Sequence, residues 1–346
     1  MTKKKVLVVD DSAFMRKMIS DILHQSSNLS VIATARNGED ALKKIAEHLP
    51  DVVTLDIEMP IKDGITTLKE IMTTHPTPVV MLSSLTKAGA DKTMEAMANG
   101  AVDFIAKPSG SISLDIEEIS SKIIQKVEAA SQVRVGSKPV RKKQEIGTLK
   151  PLKSTKSIVL IGSSTGGPSA LQEVLSKLPK NFPAPIAIVQ HMPKGFTKSL
   201  AERLNRLSEI DVKEVNHQEE LKPGTAYIAQ GGQHFLIEER HNKFIANVTD
   251  DLPVKGHKPS VNLLFNSAAE LTQCVPVSVI LTGMGSDGAS GIEMLKRKHP
   301  RTIAISQSKE SCIVYGMPQA AEKTGLVDYV VDISDISNVL TQKFMN

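Results

Sequence analysis

Two groups of residues in this chain have types and spacings that suit chemistry. Asp10 and Asp11 directly follow one short apolar run, and Asp56 follows another. Far downstream, the glycine-rich turn 162–167 (GSSTGG) follows a third apolar run. Carboxylates at strand ends indicate a metal or phosphate site, whereas a serine in a glycine turn indicates a nucleophile. A chain that carries both is expected to be a hydrolase that is controlled by phosphorylation.

The three aspartates are expected to converge at adjacent strand ends. Carboxylates this close repel one another and stay ionised only beside a compensating cation, and oxygen ligands suit Mg²⁺ or Mn²⁺. Lys107 supplies a fixed positive charge, and Ser83 could donate a hydrogen bond to a phosphoryl oxygen. Together these groups would stabilise the transfer of a phosphoryl group onto Asp56. Taken singly, Asp11 or Ser12 could instead cap the first helix.

The serine turn needs a base, because a serine hydroxyl is a weak nucleophile until a histidine, itself oriented by a carboxylate, activates it. Within the turn, the pattern Gly-x-Ser-x-Gly selects Ser164 rather than Ser163. His191 ends another apolar run, and Asp287 lies in a glycine turn after a further one. We therefore predict that these three residues meet at one sheet edge. Their chain order, Ser-His-Asp, differs from the Ser-Asp-His order of α/β-hydrolases and argues against that fold.

Each member of the serine group also has a structural alternative. Ser164 could cap a helix or line a phosphate-binding turn. His191 could be a hydrogen-bonded core histidine, and Asp287 could cap the helix that begins near Gly288.

A different function is possible for the turn that contains Asp287. Gly283, Gly285 and Gly288 form a G-x-G-x-x-G pattern, with Glu310 about 20 residues later, as in dinucleotide-binding folds. On this interpretation the chain would be a regulated oxidoreductase. The negative charge of Asp287 would be unfavourable beside a pyrophosphate. This alternative therefore ranks below hydrolysis.

Apolar and amphipathic segments alternate in two long regions, which predicts an α/β fold. Residues 1–130 predict a flavodoxin-like, five-stranded parallel sheet with helices on both faces and strands at 5–9, 30–34, 51–56, 78–82 and 102–106. Residues 157–346 predict a second α/β domain with a mostly parallel sheet that includes strands at 158–161, 185–190, 277–282 and 302–306. Its middle, 212–249, carries Pro-Gly and Gly-Gly pairs and is expected to form an insertion of antiparallel hairpins.

Composition and charge exclude several classes of protein. The net charge is +4, but residues 131–156 alone hold eight Lys and Arg against one Glu. This segment lacks periodicity, so we predict a basic, flexible linker between two domains and no binding of nucleic acid. No apolar run is long enough to span a bilayer, and no signal peptide is predicted. The two cysteines form no framework, which favours a cytoplasmic location.

The first half resembles the response-regulator receiver domain over residues 1–125. The motifs that carry the resemblance are Asp10-Asp11, 55–60 (LDIEMP) with Asp63-Gly64, Ser83 and Lys107-Pro108. The resemblance implies that Asp56 accepts a phosphoryl group from a histidine kinase. It implies Mg²⁺ ligation by Asp11, Asp56 and the backbone carbonyl of Glu58, with Asp10 in the same acidic pocket. Ser83 and Lys107 would sense the phosphoryl group, and the Lys107-Pro108 peptide bond would be cis.

The second half resembles the catalytic domain of the chemotaxis protein-glutamate methylesterases over residues 157–346. The matching strings are 161–168 (IGSSTGGP), 191–196 (HMPKGF), 257–261 (HKPSV), 281–288 (LTGMGSDG) and 315–318 (YGMP). Departures from the usual pattern are Ser163, where alanine is usual, and Asn262, where aspartate is frequent.

This second resemblance implies the roles of the site residues and the substrates. Ser164 would be the nucleophile, His191 the base and Asp287 the orienting acid, and the backbone at Met284 would help to form the oxyanion hole. The substrates would be glutamate γ-methyl esters and specific glutamines on methyl-accepting chemoreceptors. The ester chemistry itself would need no cofactor, and the enzyme would not insert into the membrane.

Overall fold

The structure, a computed structural model, describes residues 2–107, 116–133, 135–136, 152, 156–272 and 274–345. It divides into two compact units, Met1–Lys138 and Pro139–Asn346. The division falls inside the predicted linker 131–156, most of which lies outside the described residues, as does Pro108 of the expected cis peptide. None of the helices in the described part of the chain has the length and apolar character that a bilayer span requires.

The first unit is a parallel five-stranded sheet with helices between successive strands. Its elements are β1 (Lys4–Val9), α1 (Ala13–His24), β2 (Leu29–Ala35), α2 (Gly38–His48), β3 (Val52–Asp56), α3 (Gly64–Thr74), β4 (Val79–Ser83), α4 (Lys87–Ala98), β5 (Asp103–Ala106) and α5 (Ile116–Ala130). The strand order is β2-β1-β3-β4-β5. The five-stranded parallel sheet predicted from the sequence is therefore confirmed, and β1 and β3 are neighbours whose carboxyl ends lie side by side.

Local sequence explains where these helices begin. Ser12 caps α1 by accepting a hydrogen bond from the Met15 N–H, and Asp63 caps α3 by accepting one from the Thr66 N–H. A side-chain oxygen at this position satisfies a backbone donor that the helix cannot. The alternative role for Ser12 as a helix cap is thus observed, and it leaves Asp11 exposed at the sheet edge.

The second unit is built on a seven-stranded sheet. The strands of this sheet are β6 (Ser157–Ser163), β7 (Ile186–Gln190), β8 (Asp211–Glu214), β9 (Thr225–Ile228), β12 (Val275–Ile280), β13 (Ile303–Gln307) and β14 (Tyr329–Val331). The unit also contains β10 (His234–Arg240) and β11 (Lys243–Thr249), which lie outside this sheet. Its helices are α6 (Gly167–Leu175), α7 (Phe196–Leu207), α8 (Val261–Ala268), α9 (Ala289–Lys298), α10 (Met317–Lys323) and α11 (Ile333–Met345). The sheet order is β14-β13-β12-β6-β7-β9-β8, and its neighbours pair in parallel.

One part of the hairpin prediction for 212–249 is wrong. The strands β8 and β9 pair in parallel with each other, and β9 pairs in parallel with β7, so both extend the main sheet. Only β10 and β11 form an antiparallel hairpin, as a separate two-stranded sheet. Its turn residues His241 and Asn242 both have positive φ, as a two-residue hairpin turn with the right-handed twist of the strands requires.

The parallel topology places the chemistry of each unit at the carboxyl end of its own sheet. In the second unit, β6 lies between β12 and β7, and the residues that follow these three strands are those of the serine group. In the first unit, the residues at the ends of β1, β3 and β5 are the aspartates and Lys107. Parallel sheets position functional loops at this edge because every strand ends there.

Candidate active site and candidate phosphorylation site

Lys107 joins the two buried aspartates of the first unit. Its Nζ lies 2.9 Å from Asp10 Oδ2 and 2.8 Å from Asp56 Oδ2. Asp10 and Asp56 are almost completely buried, whereas Asp11 is exposed. The fold thus brings together the four charged residues that the sequence predicted for one pocket, with one cation against three carboxylates.

Burial dominates the ionisation of Asp56. It raises the pKa of Asp56 from 3.8 to about 6, although the hydrogen bond from Lys107 opposes the rise and the charge of Asp10 adds to it. Burial disfavours the Lys107 cation, but its bonds to Asp56 and Asp10 outweigh this and raise the pKa of the lysine. The pocket therefore holds a charged lysine beside a carboxyl group that is poised to take up a proton.

The donor set in this pocket suits a hard divalent cation. One oxygen from each of Asp10, Asp11 and Asp56 lies within 4.8 Å of the others. Mg²⁺ requires oxygen ligands about 2.1 Å from the ion, so trans ligands stand about 4 Å apart. The side chain of Glu58 is directed elsewhere, towards Lys92 at 2.9 Å, whereas its backbone forms a hydrogen bond with Asp56. The main chain of Glu58 is therefore near the pocket, and the ligand role of its carbonyl oxygen stays a prediction.

Ser83 lies at the end of β4 but its hydroxyl contacts α4. The Ser83 Oγ is fully buried, donates to the Gly89 carbonyl oxygen at 3.1 Å and accepts from Thr93 Oγ1 at 2.7 Å. A hydroxyl held in this way must exchange partners before it can bind a phosphoryl oxygen. The sensing role of Ser83 stays a prediction. The bonds of its hydroxyl to Gly89 and Thr93 link the end of β4 to α4.

The second unit separates the two adjacent serines. Ser163 is the last residue of β6, is fully buried, and donates from Oγ to Gln190 Oε1 at 2.7 Å. Ser164 is the next residue and is partly exposed. The Gln190 amide also donates to the Ser164 carbonyl oxygen at 2.9 Å, so one side chain holds both residues of the turn. Of the two hydroxyl groups, only that of Ser164 belongs to a residue that a substrate can reach.

The glycines of this turn are required by close packing. A Cβ atom on Gly167 would lie 1.8 Å from Gln190 Oε1, so any side chain there would displace the glutamine. Gly166 has φ of +77°, a conformation that residues with a side chain rarely adopt. The Gly-Gly pair therefore serves the geometry of the turn, with Gly166 as the N-cap of α6 and Gly167 as its first residue.

His191 and Asp287 form a direct hydrogen-bonded pair. The His191 Nε2 lies 2.9 Å from Asp287 Oδ2, and Asp287 is 4% exposed. Burial alone would raise the pKa of Asp287, but the hydrogen bond and charge of His191 and the backbone N–H groups of Asn262 and Val261 hold the pKa below its ordinary value. The carboxylate stays ionised and can stabilise an imidazolium at His191.

This pairing defines which nitrogen of His191 can act as a base. Because Nε2 faces Asp287, Nδ1 is the ring nitrogen that remains to accept a proton from the nucleophile. The ring of His257 stacks on that of His191, with centroids 4.3 Å apart and planes 9° from parallel. His257 was part of a matching motif but had no predicted role, because stacking between two rings depends on tertiary structure alone.

The group His191, His257 and Asp287 also has donor atoms within 4.8 Å of one another. Parallel rings direct their nitrogen lone pairs in parallel planes, whereas a metal ion needs lone pairs that converge on one point. The two oxygens of Asp287 already accept bonds from His191, Ser260, Val261 and Asn262. This cluster is therefore suited to orient an imidazole ring and not to bind a metal ion.

Met284 lies in a turn that packs against the nucleophile. The Ser164 N–H donates to the Thr282 carbonyl oxygen at 3.1 Å, and a Cβ on Gly283 would lie 2.8 Å from the Ser164 Cβ. The Gly283 carbonyl accepts bonds from Gly316 and Met317, and the N–H of Met284 has no acceptor among the residues that the structure describes. An N–H with no internal acceptor close to the serine is what an oxyanion hole requires.

The same turn gives the dinucleotide pattern another explanation. Gly288 is needed because a Cβ there would lie 2.6 Å from Ile280 and 3.0 Å from Val261. The carboxylate of Asp287, at the centre of the pattern, is buried against the start of α8. Gly283 and Gly288 thus serve close packing and Gly285 has φ of +85°, and with a buried acid in the turn the geometry does not favour a phosphate loop.

Both halves of the chain match models of known families. Residues 6–117 match the response regulator receiver domain, and residues 159–340 match the CheB methylesterase domain. A crystal structure of the CheB methylesterase catalytic domain of Thermotoga maritima is similar to this chain, with 43% sequence identity and a TM-score of 0.51. That similarity covers 54% of this chain and 97% of the Thermotoga domain.

Curated relatives align with the chain from end to end. A protein-glutamate methylesterase/protein-glutamine glutaminase of Oceanobacillus iheyensis is 50% identical over 99% of both chains. A protein of the same name from Halalkalibacterium halodurans is 51% identical over 98% of both chains. The family that the sequence motifs predicted is thereby confirmed, and the chain belongs to the protein-glutamate methylesterase family of carboxylic ester hydrolases, in which a receiver domain precedes a CheB methylesterase domain.

Proposed function

We propose that this enzyme hydrolyses glutamate γ-methyl esters on chemoreceptors, deamidates receptor glutamines, and is activated when Asp56 is phosphorylated. The proposal assigns Ser164 as nucleophile, His191 as base and Asp287 as the orienting acid. A cytoplasmic location belongs to the proposal, because the substrate glutamates would lie on cytoplasmic helices of the receptors. We propose no nucleic-acid partner.

One observation carries the catalytic part of the proposal. The His191 Nε2 and the buried Asp287 Oδ2 are 2.9 Å apart, and both residues follow strands that flank the strand preceding Ser164. This arrangement contains a nucleophile, a base and an orienting acid at one sheet edge, as acyl transfer requires. Sequence identity of 50% to a named methylesterase/glutaminase selects the substrate class.

The proposed reaction proceeds through an acyl-enzyme. The Ser164 Oγ attacks the γ-carbonyl carbon of the substrate while His191 Nδ1 takes the hydroxyl proton. The carbonyl oxygen becomes an oxyanion that the Met284 N–H stabilises. When the tetrahedral intermediate collapses, the C–O bond to methanol breaks, and the imidazolium gives its proton to the departing methoxide. Water then attacks the acyl-enzyme by the same route, which releases glutamate and restores the serine.

Deamidation follows the same steps with a different leaving group. In glutamine the bond that breaks is C–N, and ammonia leaves with a proton from His191. The imidazolium must then protonate the nitrogen before the C–N bond breaks, because an amide nitrogen leaves only after protonation. Asp287 keeps the imidazole in the orientation that serves both proton transfers.

The receiver unit would control this chemistry through Asp56. We propose that the Asp56 carboxylate attacks the phosphorus of a phosphohistidine of the chemotaxis kinase, so that an O–P bond forms, the P–N bond breaks and the kinase histidine leaves. Asp11, Asp56 and the backbone carbonyl of Glu58 would hold Mg²⁺, with Asp10 in the same acidic pocket, and the ion would neutralise charge on the transferring phosphoryl group. Lys107 would then exchange its ion pair with Asp56 for a contact with the phosphoryl oxygens. The exchange would change the partners of a partly buried cation and so provide a local switch.

Methanol release from methylated receptor membranes tests the proposal. We expect the wild-type enzyme to release methanol faster with acetyl phosphate and Mg²⁺ than without them. The Ser164→Ala variant should release none above background, and Asp56→Asn should retain basal activity and lose the response to acetyl phosphate. Esterase activity in the Ser164→Ala variant would contradict the catalytic assignment. A full acetyl phosphate response in Asp56→Asn would contradict the regulatory one.

A further inference from the structure

Two helices beside the active site receive their N-terminal caps from each other. Asp287, just before α9, accepts hydrogen bonds from the first N–H groups of α8, at 2.7 Å from Val261 and 2.9 Å from Asn262. In return, Asn262 Oδ1 accepts from the Gly288 N–H at 3.0 Å and the Gly291 N–H at 2.8 Å, at the start of α9. Each side chain thus satisfies two backbone donors of the other helix.

Asn262 is the side chain on which the start of α9 depends. The N-cap residue of α9 is Gly288, which has no side chain to cap the helix. Asn262 is 6% exposed, so water cannot easily replace its oxygen as an acceptor. Buried N–H groups that lose their acceptor are costly, and the chain would move to satisfy them. Because Gly288 directly follows Asp287, any such movement would displace the carboxylate.

We propose that Asn262 is a positioning residue for the Asp287–His191 pair. The inference rests on the proposed function. It assigns Asn262 a part in the reaction although, in the described part of the chain, its side chain forms hydrogen bonds with the start of α9 and none with Ser164 or His191. By fixing the backbone at Gly288, the amide holds Asp287 where Oδ2 meets His191 Nε2 and where Oδ1 meets Ser260 Oγ at 3.1 Å.

The absence of a charge on the Asn262 side chain also contributes to this role. The titratable groups that face Asp287 are His191, which follows β7, and beyond it His257, which precedes α8. An aspartate at position 262 would keep both acceptor bonds to α9 but add a second carboxylate beside Asp287. A further negative charge stabilises the imidazolium and makes His191 a weaker acid. The amide therefore supplies the cap without placing a second charge beside Asp287.

Two substitutions separate these contributions in the full-length protein. Asn262→Ala removes the cap, whereas Asn262→Asp keeps the cap and adds charge. Asn205→Ala is a matched control, because Asn205 Oδ1 also accepts from a backbone N–H, that of Val212 at 2.8 Å, at the far end of α7. Imidazole ¹⁵N chemical shifts of histidine-labelled protein report the tautomer and titration of His191, and the His191→Gln variant identifies its signals.

We expect wild-type His191 to be the tautomer with a proton on Nε2. In Asn262→Ala this preference should weaken, and kcat for methanol release should fall by about tenfold to a hundredfold with little change in KM, since small misplacements at catalytic groups have such effects. In Asn262→Asp the tautomer should persist and the His191 titration should move to higher pH. Asn205→Ala should match the wild type in both measurements.

The outcomes distinguish this inference from the proposed function. Wild-type tautomer and kcat in folded Asn262→Ala would overturn the positioning role, and an unchanged His191 titration in Asn262→Asp would overturn the role of the neutral charge. If Asn262→Ala does not fold, Asn262→Asp still tests the positioning role, because loss of the Nε2 tautomer in a folded variant that keeps the cap would overturn it. Absence of methanol release from the wild type, with the expected ¹⁵N results, would instead contradict the proposed substrate and leave the inference standing.

Discussion

The charge on Asp56 is predicted to destabilise the first unit at neutral pH, so Asp56→Asn should make that unit more stable. Burial and the neighbouring Asp10 raise the pKa of Asp56 from its ordinary 3.8 to about 6, even with Lys107 opposing the change. An asparagine has nearly the same shape as a protonated aspartate and carries no charge. The substitution therefore removes the unfavourable ionised form and keeps the packing.

The magnitude follows from the difference between the two pKa values. Each pKa unit corresponds to 1.36 kcal/mol, so full ionisation of Asp56 costs the folded state about 3 kcal/mol. Between about pH 4 and pH 6 the folded state binds more protons than the unfolded state, so wild-type stability decreases as pH rises through this window. Above about pH 6 the cost is constant, and below about pH 4 it vanishes.

Hydrogen exchange followed by mass spectrometry can measure this local stability in the full-length protein. Exchange of peptides from β1 and β3 should slow in Asp56→Asn at pH 7.5, by an amount equivalent to about 3 kcal/mol, and the difference should disappear near pH 4 after correction for intrinsic rates. Mg²⁺ should stabilise the wild type more than the variant, since the variant lacks one carboxylate ligand.

A nearby aspartate provides the control. Asp51 precedes β3 and forms a partly exposed ion pair with Lys4 at 3.2 Å, so Asp51→Asn should change stability by about 1 kcal/mol at most and should not stabilise the unit. If Asp56→Asn is no more stable than the wild type at pH 7.5, the reasoning about its buried charge is refuted. A gain that is the same at pH 4 and pH 7.5 would also refute it, because the gain must follow the titration.

Four further predictions concern catalysis and its control. Ser164→Ala should lower methanol release by several orders of magnitude. Ser163→Ala should slow methanol release only mildly, and it should lower the free energy of unfolding by about 1–3 kcal/mol because Gln190 Oε1 loses a buried donor. An inactive Ser163→Ala enzyme would reverse the assignment of the two serines. Asp287→Asn should fold, and its kcat should fall by up to about 10⁴-fold because the imidazole of His191 adopts the wrong tautomer. Wild-type turnover in the folded variant would show that Asp287 only caps a helix. A fragment spanning Pro139–Asn346, which lacks Asp56, should hydrolyse methyl esters at a rate that acetyl phosphate does not alter, and a response to the phosphodonor would place the acceptor elsewhere.

Strand direction shows where pattern reasoning was insufficient. The alternation of apolar and amphipathic segments correctly predicted two parallel sheets, because buried parallel strands are continuously apolar and are separated by helices. The strands β8 and β9 have only four residues each and no intervening helix, so their sequence does not reveal their direction. Their parallel pairing is decided by the exposed edge of β7, to which β9 binds.

The types and order of the candidate site residues were evident from the sequence. Asp56, Ser164, His191 and Asp287 follow apolar runs at the ends of strands, and parallel strands deliver their last residues to a common edge. The short motifs around them were sufficient to predict the family. This information is local, since each motif lies within a few residues of one strand end.

Contacts between distant segments were decided only by the tertiary structure. The bond of Ser163 to Gln190, the stacking of His257 on His191 and the capping of α9 by Asn262 each join residues that are far apart in the chain. Nothing in the residue types distinguishes a buried serine from its exposed neighbour, or a capping asparagine from a surface one. Their roles depend on which groups lose access to water when the sheets and helices pack, because a buried polar group must find a partner within the protein.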